Sequence, residues 1–118
     1  TTVERESVMT DIAERLGVPP LKLPEVVIDA NSKTKGFARG GKIYLRDEGV
    51  AFHIFFHEAV HVYQRAYKIK PPEYALGCEL PFEAQAWRVS FEWCSEKNMD
   101  CPLHADDWKN KAKCGGRK

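Results

Sequence analysis

The chain has 118 residues, of which 43% are hydrophobic and 30% charged, and its formal net charge is +1. This length and composition suit one small globular domain and argue against disorder. A net charge near zero gives no reason to expect nucleic acid or an anionic membrane as a partner. No apolar run reaches the roughly 18 residues that a membrane span needs, and no secretory leader opens the sequence, so we expect a cytoplasmic protein.

A helix and a small sheet are predicted before the middle of the chain. Apolar residues recur at helical spacing through Thr2–Leu16, and Gly17 ends that pattern. We expect short strands at Val26–Asp29, Lys35–Arg39 and Lys42–Leu45. Gly40-Gly41 predicts a two-residue hairpin turn between the second strand and the third.

The segment His57-Glu58-Ala59-Val60-His61 is the most informative part of the sequence. Residues four apart lie one above the other on a helix, so the His57 and His61 rings can both reach one ion. Glu58 lies about 100° further around the helix, where it can reach a water on that ion. This HExxH arrangement is typical of zinc metalloproteases, with the two histidines as ligands and the glutamate as general base.

The helix predicted around this motif, Val50–Ile69, has one polar stripe on an otherwise apolar surface. Within an arc of about 140° lie His53, His57, Glu58, His61, Gln64, Arg65 and Lys68. A merely solvated helix would not be apolar over so much of its surface. The pattern therefore predicts a largely buried helix whose polar stripe faces a cleft.

A catalytic zinc uses three protein ligands and one open position, so a third ligand is needed. A second helix is predicted at Leu80–Asn98, with Pro81 in its first turn, and Glu83 lies in the middle of its apolar side. Burying an unpaired carboxylate is costly, so we predict that Glu83 is the third ligand. The alternatives are an ion pair of Glu83 with a basic residue or a glutamate stabilised at the start of the helix by the helix dipole, and Glu79 in the preceding loop is the second candidate ligand. His53 lies about 12 Å along the helix from His61, which is too far for one tetrahedral ion.

The motif followed by Glu83-Ala84-Gln85-Ala86 resembles the gluzincin group of metallopeptidases, and the short chain most resembles the soluble minigluzincins. The resemblance covers roughly residues 26–98. It implies an α+β, zincin-like minimal fold: an N-terminal helix, a small three-stranded sheet, the active-site helix and the glutamate helix. Residues 1–98 would form one catalytic domain, and residues 99–118 a C-terminal tail that blocks the cleft in a latent enzyme.

The four cysteines and the tail leave several possibilities open. No two of the cysteines are spaced as a CxxC pair, so a separate structural zinc site is not indicated. We expect at least one disulfide among Cys78, Cys94, Cys101 and Cys114. Five tail residues are possible zinc ligands, one of which could displace the catalytic water: Cys101, His104, Asp106, Asp107 and Cys114. A surface-packed terminus without that role is the alternative.

The expected activity is hydrolysis of a peptide or protein substrate by a zinc-activated water, with Glu58 moving the proton. A second electrophile would stabilise the oxyanion, and the candidates are His53, Tyr63, Tyr67 and Tyr74. Extended substrate could pair with a sheet edge at Phe37–Arg39 or Ile43–Leu45. The rival hypothesis is a non-catalytic zinc- or peptide-binding domain whose metal site is closed by a fourth protein ligand. The sequence does not indicate an oligomeric state.

Overall fold

The computed structural model describes residues 2–50, 52–97 and 107–115 of the chain. In chain order its elements are α1 (Thr2–Leu16), β1 (Val26–Ile28), β2 (Gly36–Arg39), β3 (Lys42–Leu45), α2 (Phe52–Tyr67), a 3-10 turn (Glu73–Ala75), α3 (Pro81–Glu96) and α4 (Trp108–Lys111). The α+β class is confirmed, and the predicted helices and strands differ from these only at their ends. The chain divides into two compact units, Thr1–Lys68 and Ile69–Lys118.

The first unit contains a mixed sheet with strand order β1-β3-β2. β1 runs parallel to β3, whereas β2 runs antiparallel to it and pairs Phe37 with Tyr44. Gly40 and Gly41 both have positive φ, at 59° and 77°, as a two-residue turn between right-twisted strands requires. The predicted glycine hairpin is therefore confirmed.

β3 is the central strand of this sheet, which corrects one sequence-based expectation. The Ile43 N–H donates to the carbonyl of Glu25 at 3.0 Å, so β3 is bonded on the side away from β2 as well. Ile43 and Leu45 are buried. Ile43–Leu45 therefore cannot act as an open edge, while Phe37–Arg39 does lie in an edge strand.

The sheet and α1 pack against α2, the helix that carries the histidine motif. α2 forms because its sequence is apolar around most of its surface, and tertiary packing of such a surface stabilises a helix more than intrinsic propensity does. The buried apolar side chains of this unit are Val8, Met9, Ile12, Ala13, Ile43, Leu45, Phe55, Phe56, Ala59, Val60 and Tyr63.

The Tyr63 hydroxyl holds three segments of this unit together. It donates to the carbonyl of Met9 at 2.7 Å and accepts the N–H of Leu21 at 2.9 Å. Burial raises the pKa of the Tyr63 phenol above its ordinary value of 10.0. Because the hydroxyl needs its proton to donate to Met9, this stabilisation is present below pH 10 and is lost as the pH rises through the raised pKa.

Replacing Tyr63 by phenylalanine should lower the free energy of unfolding by about 1–3 kcal/mol, because it leaves a buried carbonyl and an N–H without this partner. Denaturant titration at neutral pH measures the change. Tyr67→Phe is the matched control, since the Tyr67 hydroxyl donates to Pro19 at 2.9 Å in an exposed position and should contribute less. Equal losses of unfolding free energy in the two variants would contradict a larger contribution from the buried Tyr63 hydroxyl.

The second unit is built on α3, which packs against α4 and the 3-10 turn. Its core cluster comprises Ala75, Cys78, Ala84, Phe91, Trp108 and Ala112. The N–H groups of Glu79 and Leu80 donate to the carbonyls of Lys113 and Ala112, at 3.2 and 3.1 Å. The described end of the predicted tail is thus part of this unit rather than a separate segment, and its α4 was not predicted.

Two side chains of α3 differ from the helical-wheel expectation. Helical spacing alone places Gln85 on a polar side of α3 and Phe82 on an apolar side, but Gln85 is buried and Phe82 is 46% exposed. A wheel gives the angle of each side chain around the axis but not which angles neighbouring elements cover. None of the helices in the described ranges combines the length and hydropathy that a bilayer crossing requires.

A disulfide joins Cys78 to Cys114, 36 residues apart in sequence. It ties the loop before α3 to the segment after α4, where the two residues also form an isolated β-bridge. Cys94 is disulfide-bonded too. The prediction of at least one disulfide is confirmed, whereas Cys101 lies outside the described residues.

Candidate metal centre

The α2 helix brings His57 and His61 together as the four-residue spacing predicts. Both side chains are buried, with 3% and 8% of their surfaces exposed. Their Nε2 atoms are 3.1 Å apart, and the two rings meet edge to face. Two nitrogens bound to one tetrahedral zinc at roughly 2.0–2.1 Å would be about 3.3 Å apart, so this pair is already close to the spacing that such an ion needs.

The second ring nitrogen of His61 contacts Gln64, one helical turn further along α2. The His61 Nδ1 and Gln64 Oε1 atoms are 2.7 Å apart. An amide oxygen can only accept a hydrogen bond, so this contact forms with the His61 tautomer that has its proton on Nδ1. Neutral His61 then has its lone pair on Nε2, the atom that faces His57. Only this tautomer lets Nε2 bind a metal ion.

Glu58 lies beside the same pair of nitrogens. Its Oε2 atom is 3.9 Å from His57 Nε2, and the residue is buried. That distance is longer than a direct hydrogen bond, so it leaves the carboxylate next to the histidine nitrogen rather than bonded to it. The position suits a group that exchanges a proton with a molecule held at His57 and His61.

Glu83 lies in the first turn of α3 and is partly buried. His57, His61 and Glu83 form a group that could hold a metal ion, because one ligand atom from each lies within 4.8 Å of the other two. Two imidazoles and one carboxylate are a ligand set that catalytic zinc sites use, and the set leaves a fourth position open. The donor chemistry therefore suits a divalent metal ion, and zinc is one of the ions that use this set.

Glu79, the second candidate ligand, has a different environment. It is exposed in the loop before α3, as predicted, and does not belong to the group of possible metal ligands found among the described residues. It lines a cavity of about 480 Å³ together with the Cys78–Cys114 disulfide and Lys113. Glu79 is thus a suitable control position for testing whether Glu83 binds a metal ion.

The polar stripe of α2 is more buried than the sequence indicated. His53, His57, Glu58, His61 and Gln64 are all buried. Arg65 and Lys68 are exposed, so the stripe is exposed only near the end of the helix. The sequence pattern placed Gln64 on this stripe but did not predict its contact with His61. The two residues are three apart on one helix face, and this spacing could have indicated the contact.

The tyrosines proposed as oxyanion donors contact other groups. The Tyr63 and Tyr67 hydroxyls bond to Met9 and Pro19, as described above. The Tyr74 ring packs against Arg88 at 4.1 Å and edge to face against Trp108. Tyr63 and Tyr67 are therefore poor candidates, because stabilising an oxyanion would require their hydroxyls to leave these carbonyls.

The tail contributes one correction to the predicted metal ligands. Cys114 is bonded to Cys78, so it has no thiolate to offer a metal ion while the disulfide is intact. The prediction that Cys114 could block the site is therefore wrong for the oxidised chain. Cys101, His104 and Asp106 lie outside the described residues, and their proposed blocking role stays a prediction.

No family model, curated protein or solved structure matches this chain. The resemblance to gluzincins accordingly rests on the HExxH and ExxA residues alone. The donor atoms of the candidate site, and the chemistry that such a group supports, are therefore the basis for inferring a function.

Proposed function

We propose that the chain is a zinc-dependent metallopeptidase with His57, His61 and Glu83 as metal ligands and Glu58 as general base. The observation that carries this proposal is the group of two imidazoles and one carboxylate whose donor atoms lie within 4.8 Å of one another. The choice of peptide bonds as substrate rests on the HExxH motif and its resemblance to gluzincins.

One of the two histidines has the neutral tautomer that a zinc ligand requires. His61 presents Nε2 because its Nδ1–H donates to Gln64. Glu83 supplies one negative charge, so the site keeps a net positive charge when a dication is bound. A zinc ion held there would polarise the scissile carbonyl and lower the pKa of a bound water toward neutrality.

Glu58 performs the proton transfers in this proposal. Its carboxylate takes a proton from the attacking water and later delivers it to the leaving amine. The 3.9 Å between Glu58 Oε2 and His57 Nε2 supports this role, because the base must lie beside the site without occupying a ligand position. Its burial limits contact with bulk water, which would otherwise compete for the carboxylate.

The β2 strand is the proposed edge for an extended substrate. It is an outer strand of the sheet and packs against α2 within the first unit. Arg65 of α2 donates to the carbonyl of Ala38 at 2.8 Å, so one backbone group of this strand is already bonded to the helix that carries the motif. A peptide added to this edge would pair with backbone groups of β2 that Arg65 does not contact.

Replacing Glu83 by alanine should weaken zinc binding by at least about 10–100-fold, the range found when groups that support a zinc ligand are lost. Competition against a chromophoric chelator at pH 7 measures the affinity. Glu79→Ala is the matched control, since it removes a carboxylate four residues away without touching the candidate ligand group.

Three outcomes of that experiment distinguish the possibilities. Weak zinc binding in Glu83→Ala alone supports the ligand set. Weak binding in Glu79→Ala alone would move the third ligand to the loop before α3. Unchanged affinity in both variants would contradict a carboxylate ligand at either position. Binding of a hydroxamate to the zinc-loaded chain would further support an open fourth position, and failure to bind would support a closed site.

A further inference from the structure

Gln64 is a buried amide on the same helix face as the two histidines. Only 5% of its surface is exposed, and its Oε1 atom is 2.7 Å from His61 Nδ1. We propose that Gln64 is a positioning residue: its side-chain oxygen holds the Nδ1 proton of His61 and thereby keeps the Nε2 lone pair facing His57. This inference rests on the metal site proposed above.

The helix geometry makes this contact specific to a side chain of glutamine's length. Residues three apart lie on one face of a helix, so the side chain at position 64 passes over the ring at position 61. Asparagine is one methylene shorter and would not carry its oxygen to the same place. Most metal-ligating histidines donate their other N–H to a carboxylate, a backbone carbonyl or a water. Here a neutral side-chain amide accepts that hydrogen bond.

The contact with Gln64 also favours one of the two neutral tautomers of His61, whereas the contact between the two histidines favours neither. Neutral imidazole can carry its proton on either nitrogen, and His61 Nε2 is only 3.1 Å from His57 Nε2. With a proton on Nε2, His61 could donate to His57 but could not bind an ion through that atom. With the Gln64 amide oxygen turned toward His61, as in the structure, this tautomer would set that oxygen against a ring lone pair, so this orientation of Gln64 favours the proton on Nδ1.

The test compares Gln64→Met with Gln64→Glu. Methionine has a similar length and volume but no amide oxygen, whereas glutamate keeps an oxygen acceptor at the same distance from the backbone. Long-range ¹H–¹⁵N correlation spectra of the metal-free protein report which nitrogen of His61 carries the proton. Zinc affinity by chelator competition and the visible spectrum of the Co²⁺-loaded protein give two further readouts, and the melting temperature reports folding.

We expect the Nδ1–H tautomer of His61 in the wild type and in Gln64→Glu, and a loss of this preference in Gln64→Met. Zinc affinity should fall by about 10–100-fold in Gln64→Met and stay close to that of the wild type in Gln64→Glu. An Nε2–H tautomer in the wild-type protein would overturn the inference, as would unchanged tautomer and affinity in Gln64→Met. If Gln64→Met does not fold, the tautomer of His61 in the wild type and in Gln64→Glu still tests the inference.

The two proposals fail in different ways. If the wild-type chain binds no zinc, the proposed function fails, but the His61 spectrum of the metal-free protein still tests the Gln64 contact. If zinc binds the wild type tightly and Gln64→Met binds it equally well, the metal site stands and only the positioning role is lost.

Discussion

Replacing Glu58 by glutamine should abolish most peptide hydrolysis, by about 10²–10⁴-fold, while zinc binding is retained. Glutamine has nearly the same shape but cannot accept the proton of the attacking water. The position of Glu58 Oε2, 3.9 Å from His57 Nε2, predicts that the loss falls on the catalytic step rather than on metal affinity. Initial rates on a casein-like substrate, measured with one equivalent of zinc, give the comparison.

Glu73→Gln is the matched control for this variant, because Glu73 is an exposed carboxylate in the 3-10 turn and should not affect the rate. Zinc affinity should be measured on both proteins. Residual hydrolysis within a few-fold of the wild type in Glu58→Gln would exclude Glu58 as the base. Loss of zinc in the same variant would indicate instead that Glu58 is a ligand.

Removing the Cys78–Cys114 disulfide should lower the free energy of unfolding by about 4 kcal/mol. This value follows from the entropy that a cross-link over a 36-residue separation removes from the unfolded chain. Replacing both cysteines by serine is preferable to chemical reduction, since Cys94 is also disulfide-bonded and a reductant would act on it as well. Denaturant titration of the double variant measures the change.

The controls for this prediction are two single variants, Cys78→Ser and Cys114→Ser, because each of them breaks the same bond. Both should be destabilised to a similar extent as the double variant, because the effect belongs to the bond and not to either residue. A loss below about 1 kcal/mol in the double variant would contradict the expectation. It would mean that residual structure already restricts the unfolded chain without this bond.

The parts of the structure that follow from neighbouring residues could be predicted from the sequence. The spacing of His57 and His61 specifies one helix face whatever surrounds it, and the structure has their Nε2 atoms 3.1 Å apart. Likewise, Gly40-Gly41 favours positive φ at both positions of a tight turn, and this requires no information from distant residues. The bounds of α1 were predictable for the same reason.

Features that depend on distant parts of the chain were not predictable in this way. The central position of β3 arises because β1 joins it in parallel, and a strand's sequence does not say which partner it takes on its second side. Burial of Gln64 and Gln85 depends on neighbouring elements rather than on helical spacing. Four cysteines allow three connectivities, so the bond of Cys78 to Cys114 could not be chosen from their spacing.

The hydroxyl bridge from Tyr63 to Met9 has a consequence for the proposed metal ligands, because Tyr63 is only two residues beyond His61. Rotation of α2 about its own axis would have to break this bridge, so α1 acts as an anchor for the angle at which the imidazoles point. Loss of the packing between α1 and α2 would therefore change the directions of the two imidazoles, and with them any metal affinity that the pair has.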